Sequence, residues 1–125
     1  LCNVDLNKLL DFHKSHGKVA TVTAVRPPAR FGGMKIEENQ VKEFKEKPQI
    51  GEASINGGYF VFEPEIFNYI KNDNSILEKE PLETLSRENQ LMAHEHNDFW
   101  HCMDTIRDRD ALNNFIKEGY TPWLG

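Results

Sequence analysis

The chain is poor in the residues that mark secreted, membrane-spanning or nucleic-acid-binding proteins. Among 125 residues there are two cysteines, Cys2 and Cys102. They form neither a CxxC pair nor a zinc-ligand spacing, and two thiols in an α/β chain of this composition are expected to stay reduced. Fifteen Lys and Arg stand against 20 Asp and Glu, a net charge of −5. The cations are scattered rather than striped, which argues against nucleic acid as a partner. No apolar run approaches the ~20 residues that cross a membrane, and no signal peptide is recognisable. Charged residues make up 28% of the chain, and a cytoplasmic protein is expected. Repeats and low-complexity tracts are lacking. So are a GxGxxG or GxxxxGK phosphate loop and a Ser-His-Asp order. There is no initiating Met, and Leu1 reads as an internal point of a longer chain.

What is present has the rhythm of an α/β sheet. Asn3 or Asp5 caps a helix whose stripe is Leu6, Leu9, Leu10 and His13, and Gly17 closes it. The uncharged run 19–25 predicts a strand buried on both faces. Residues 31–36 and 41–44 read as two short strands joined through 37–40, although their alternation is imperfect. Residues 55–62 predict a core strand entered over two glycines. Pro64 opens a short buried helix carrying Ile66, Phe67, Tyr69 and Ile70, and a second short helix covers 80–86 with Pro in its first turn. Residues 91–96 and 99–102 look like paired strands around Asn97-Asp98. The last helix runs from Ile106 to about Glu118, capped by Thr105 with Asp108 completing a capping-box-like pair, and Pro122-Trp123 tacks the tail down.

Three places offer chemistry, each with a plain structural alternative. Asp104 falls where the end of a strand over 99–103 meets a helix N-terminus. Ligands gather at such junctions in α/β folds, yet a lone Asp there is more often a second cap or a surface acid than a metal ligand. Glu46-Lys47-Pro48 puts an acid and a cation at a strand end. Lys47 could reach a phosphate and Glu46 a hydroxyl, or both could be solvated members of a charge-rich segment. Asn56-Gly57-Gly58 stands at the mouth of the 55–62 strand. Glycine there asks for close approach of a ligand or for a bulge, and Asn56 supplies a donor and an acceptor that suit a sugar hydroxyl. His94, His96 and His101 suggest a metal, but no Cys or carboxylate is spaced to complete a tetrahedral set.

The order of EKP, NGG, EPL and MDT, with the DFHKSHGK and PPARFG segments and the PW ending, resembles the C-terminal half of a sugar-nucleotide pyrophosphorylase. The FW-x-x-MDT wording is most similar to the glucose-1-phosphate cytidylyltransferases of that family. The resemblance implies a Rossmann-like nucleotidyltransferase fold, with a mixed, mostly parallel sheet and flanking helices. Residues 1–125 would be the C-terminal, sugar-phosphate-binding part of a single domain whose N-terminal nucleotide-binding half is missing. It implies that CTP and α-D-glucose 1-phosphate give CDP-glucose and pyrophosphate with Mg²⁺, in a homo-oligomer. By that likeness Asp104 is one of two Mg²⁺ carboxylates and Lys47 neutralises phosphate charge. Glu46 and Asn56 hold sugar hydroxyls, and Gly57 and Gly58 let the sugar lie on the backbone.

The base-reading residues and the triphosphate loop belong to the missing half, so these residues alone are expected to be inactive. Two alternatives stay open. One is a thymidylyl- or uridylyltransferase on glucose 1-phosphate. The other is a non-catalytic module that binds sugar phosphate or mediates assembly.

Overall fold

A computed structural model describes residues 1–28, 33–46 and 53–125, the side chain of Lys45 excepted. The elements, in order, are helix α1 (Leu6–His16), strands β1 (Ala20–Val25), β2 (Gly33–Glu37), β3 (Gln40–Lys45) and β4 (Ile55–Phe62), a 3₁₀ helix (Pro64–Tyr69), helix α2 (Glu80–Arg87), strand β5 (Leu91–His96), helix α3 (Ile106–Lys117) and a closing 3₁₀ turn (Pro122–Leu124). They form two compact units, one of residues 4–24 and 56–96, the other of 1–3, 25–55 and 97–125. The mixed α/β class expected from the sequence is what the chain adopts.

In the first unit the sheet order is β4-β1-β5. β1 takes the centre: it carries no charge on either face, and four of its six residues are buried. Asp5 caps α1 by accepting from the N–H groups of Asn7 and Lys8. Leu9 and His13, one turn apart, are its buried residues. Ala20, Ile66 and Leu85 form the fully packed core, with Val19, Phe62, Tyr69, Leu77, Leu82 and Leu91 against it.

Two expectations change in this unit. The 55–62 strand is not a core strand. It lies at an end of the three-strand order, and among its residues Gly57 alone is buried. The segment after Pro64 is a 3₁₀ helix, in which residues three apart eclipse. Ile66 and Tyr69 therefore turn inward together, while Phe67 (74% exposed) and Ile70 turn outward.

The second unit contains the β2–β3 hairpin. Glu38 and Asn39, both at positive φ (49° and 64°), make its two-residue turn. Met34 faces Phe44 and Ile36 faces Val41, with a register shift between Lys35 and Ile36. Lys42 is the extra residue, which is why the sequence alternation looked imperfect. The unit also contains α3, which is as expected: the Thr105 hydroxyl accepts from the Asp108 N–H, and Asp108 accepts in return from the Thr105 N–H.

Residues 99–103 form no strand paired with β5. β5 joins β1 instead, and residues 99–101 run against the chain start, with Asn3 N–H donating to the Phe99 carbonyl (3.2 Å), His101 N–H to that of Leu1 (2.8 Å), and a single antiparallel bridge between Cys2 and Trp100. The aromatic residues expected in a hairpin pack on the tail: Phe99 lies 5.3 Å from Trp123, and Phe115 lies 5.6 Å from Tyr120.

Candidate functional site

Asp104 stands in the turn before α3, and its position follows from the cap that comes after it. Asp108, one turn into the helix and buried, reaches back with Oδ2 to the N–H groups of Asp104 and Thr105, each at 3.2 Å. One carboxylate thus takes up two backbone donors at the helix entrance. The Asp104 carboxylate is exposed and bonds to nothing among the described residues. The helix N-terminus favours the ionised form of such an acid, and an ionised carboxylate is a hard oxygen donor of the kind Mg²⁺ or Ca²⁺ takes.

Asn56, Gly57 and Gly58 follow Ile55 at the start of β4. The Asn56 side-chain oxygen accepts from the Gly58 N–H at 2.8 Å. The bond leaves the amide –NH₂ of Asn56 as its outward group. Gly58 sits at φ +83°, and a Cβ built there meets nothing within 4 Å. The backbone conformation is one reason for glycine at this position, and the open space above it is what a ligand lying on the chain requires.

Glu46 directly follows β3 and is exposed. Lys47 lies outside the described residues. Glu46 and Asp104 belong to one compact unit, and Asn56, Gly57 and Gly58 to the other.

The histidines divide. His94 and His96 share the half-buried side of β5, as alternation requires. His101 is not across a hairpin from them. It stacks against Phe99 and packs edge-on to Phe115. With Cys102 and Asp108 it forms a donor set absent from the sequence reading, its ligand-type atoms all within 4.8 Å of one another. The signal was hidden because Asp108 arrives through the helix turn, six residues after Cys102. Asp108 Oδ2 there already accepts two backbone N–H groups and lies 3.8 Å from the Cys102 sulfur. No disulfide occurs among the described residues.

A family model for nucleotidyl transferases matches residues 1–115, and the chain belongs to that family. It is 46% identical, over 123 residues, to a glucose-1-phosphate cytidylyltransferase of Salmonella typhi, covering 98% of this chain and 48% of that one. It is 31% identical to the Xenopus tropicalis mannose-1-phosphate guanylyltransferase catalytic subunit beta, covering 99% of this chain and 37% of that one. Among solved structures, a Bacillus anthracis chain described as a glucose-1-phosphate thymidylyltransferase and crystallised with sucrose superposes with a TM-score of 0.59. That match has 17% identity and covers 92% of this chain and 50% of that one, a likeness of fold. The chain thus spans about half the length of the first cytidylyltransferase relatives it matches. No helix among the described residues is long and apolar enough to cross a membrane.

Proposed function

We propose that the protein transfers a cytidylyl group to glucose 1-phosphate, forming CDP-glucose and pyrophosphate. The observation that carries this reading is the Asp104 carboxylate, exposed and with no partner among the described residues, in a turn whose own N–H groups Asp108 takes up. The likeness to cytidylyltransferases, stronger than that to guanylyltransferases, favours CTP as the donor. A sugar-phosphate oxygen attacks the α-phosphorus of CTP, the bond to the β-phosphate oxygen breaks, and pyrophosphate leaves. Such a displacement needs in-line positioning and neutralised charge rather than a covalent intermediate.

The donor set fits Mg²⁺, which keeps one or two protein carboxylates and takes phosphate and water for the rest. Asp104 would hold it, and when bound it neutralises charge on the phosphates. Lys47 adds a cation for the sugar phosphate. Glu46 accepts from a sugar hydroxyl, and the Asn56 amide donates to another. Gly58 offers a bare backbone on which the sugar ring rests. A cytoplasmic assembly of like subunits, with no nucleic acid or membrane partner, completes the reading.

The test is the full protein with Mg²⁺, glucose 1-phosphate and CTP, dTTP or UTP in turn, measured by pyrophosphate release and by the nucleotide sugar formed. CDP-glucose as the main product supports the proposal. A clear preference for dTTP or UTP replaces it with the thymidylyl or uridylyl reading. No turnover with any of the three, together with retained glucose 1-phosphate binding, favours the non-catalytic module.

A further inference from the structure

Helix α1 ends at His16, and Gly17 follows in the left-handed conformation at φ 65°. That turn brings the next backbone N–H, of Lys18, onto Nδ1 of His16 at 2.9 Å. A backbone N–H can only donate, so the bond fixes the ring: Nδ1 accepts, and the ring proton sits on Nε2. Nε2–H then donates to the hydroxyl of Thr21 on β1 at 2.6 Å. Thr21 is fully buried, and its hydroxyl also contacts Nδ1 of His13 at 2.8 Å. Among the described residues that nitrogen is the one acceptor for the hydroxyl proton, so Thr21 donates and His13 Nδ1 accepts. The proton of His13 is then on Nε2, which donates to the Glu63 carboxylate at 2.9 Å. Glu63 is half exposed, and its backbone N–H donates to the Val19 carbonyl at 2.8 Å.

Four bonds therefore point one way, from Lys18 through His16, Thr21 and His13 to Glu63. They tie the end of α1 to β1 and to the corner between β4 and the 3₁₀ helix. Every nitrogen of both rings is used, and the arrangement closes with both rings uncharged.

We infer that this chain of bonds is an acid-released latch, which holds while His16 is neutral and opens at the Lys18 N–H when His16 takes a second proton. A protonated ring carries N–H at both nitrogens, so Nδ1–H would meet the Lys18 N–H donor to donor. The groups around His16 act in the same sense. His13 lies edge-on at 5.1 Å on the same helix, and Lys18 follows in the loop. Phe12 packs at 5.2 Å, with His94 of β5 on Phe12 in turn at 5.3 Å. Glu63, the one carboxylate in the chain of bonds, contacts His13 rather than His16.

A helix C-terminus by itself favours a cation. Here burial first, then His13 and Lys18, hold His16 below the ordinary histidine value of 6.5. As pH falls, the unfolded chain therefore takes up the proton before the folded one. The stabilisation by the latch is complete above the unfolded value and is lost as pH drops through the folded value.

The experiment is long-range ¹H–¹⁵N NMR of the full protein labelled at histidine, with amide exchange at Lys18, from about pH 7.5 to about pH 4.5. At the upper end both His13 and His16 should show the Nε2–H tautomer. The protection factor of the Lys18 amide should fall about tenfold or more, with the same midpoint as His16. His16→Gln, which keeps a side-chain donor for Thr21 but cannot titrate, should give a Lys18 protection factor that is flat with pH. An Nδ1–H tautomer at His16 would overturn the latch. So would Lys18 protection that ignores the titration of His16, or that keeps its pH dependence in His16→Gln.

Discussion

The α1–β1 junction and the turn into α3 are built from the same materials, short polar side chains bonded to backbone N–H groups, yet they end in opposite states. At the junction both histidines and the Thr21 hydroxyl are fully engaged, in a chain of bonds that runs from the Lys18 N–H to Glu63. At the turn, Asp108 takes on the N–H groups of Asp104 and Thr105, and the exposed carboxylate of Asp104, four residues away, bonds to nothing among the described residues. A buried polar group must be satisfied or it costs stability, so completeness is the mark of a structural network. An exposed acid beside an already capped helix has no such duty. Spare bonding capacity, more than residue type, is what separates a candidate ligand from a piece of scaffold.

The sharpest test of that contrast removes the charge of Asp104. Asp104→Asn removes a charge that no described residue uses. It should lower kcat/KM by roughly 10³-fold, about 4 kcal/mol of transition-state stabilisation. Its urea midpoint should move by less than about 0.5 kcal/mol equivalent, as surface changes do. A near-normal rate in saturating Mg²⁺ would remove Asp104 from the site.

On the structural side, Thr21→Val keeps the shape of the side chain but leaves His16 Nε2–H and His13 Nδ1 without partners. A loss of about 2–4 kcal/mol in unfolding free energy is expected from two orphaned groups, one buried on His13 and one half-buried on His16. A loss under about 0.5 kcal/mol would mean that the junction is not the closed network its geometry describes.

Asp108→Ala falls between the two. It deletes the reciprocal half of the capping box and should cost about 1–2 kcal/mol in stability. It should also reduce kcat/KM by about tenfold, because the turn that presents Asp104 loses its anchor. An Asp108→Ala enzyme as impaired as Asp104→Asn would reverse the division of roles drawn above.

How much of this was legible in the sequence varies with the range of the interaction. Local signals read true. Asp5 caps α1, Gly17 ends it, Thr105 and Asp108 make the capping box, and Pro64 and Pro81 stand in first turns. Each is decided within four residues, so sequence spacing holds the information. Long-range pairing did not read true. Residues 91–96 and 99–102 carry the pattern of a hairpin, but β5 pairs with β1, some seventy positions away, and 99–101 pair with the chain start. Alternation states that a strand has two faces and not which neighbour it takes. The 66–70 segment failed for a different reason: the apolar residues were right, but a period of three rather than 3.6 turned two of them outward. Of the candidate site, the special surroundings of Asp104 and Gly58 were visible as oddities. The bonding that frees one and engages Asn56 was not, and Lys47 falls outside the described residues.

Gly58 separates the two reasons for a glycine that the sequence could not tell apart. At φ +83° an alanine is strained by about 1–2 kcal/mol, yet its Cβ would meet no protein atom within 4 Å. Gly58→Ala should therefore lower the unfolding free energy by that amount and no more. If glycine is there only for the backbone, glucose 1-phosphate should be used with an unchanged KM, since nothing else is displaced. If the sugar lies on this stretch of β4, the added methyl occupies the space the sugar needs. KM for glucose 1-phosphate should then rise about tenfold or more while the KM for the nucleotide stays put. The split between the two KM values decides the matter, because a general loosening of β4 has no reason to single out one substrate.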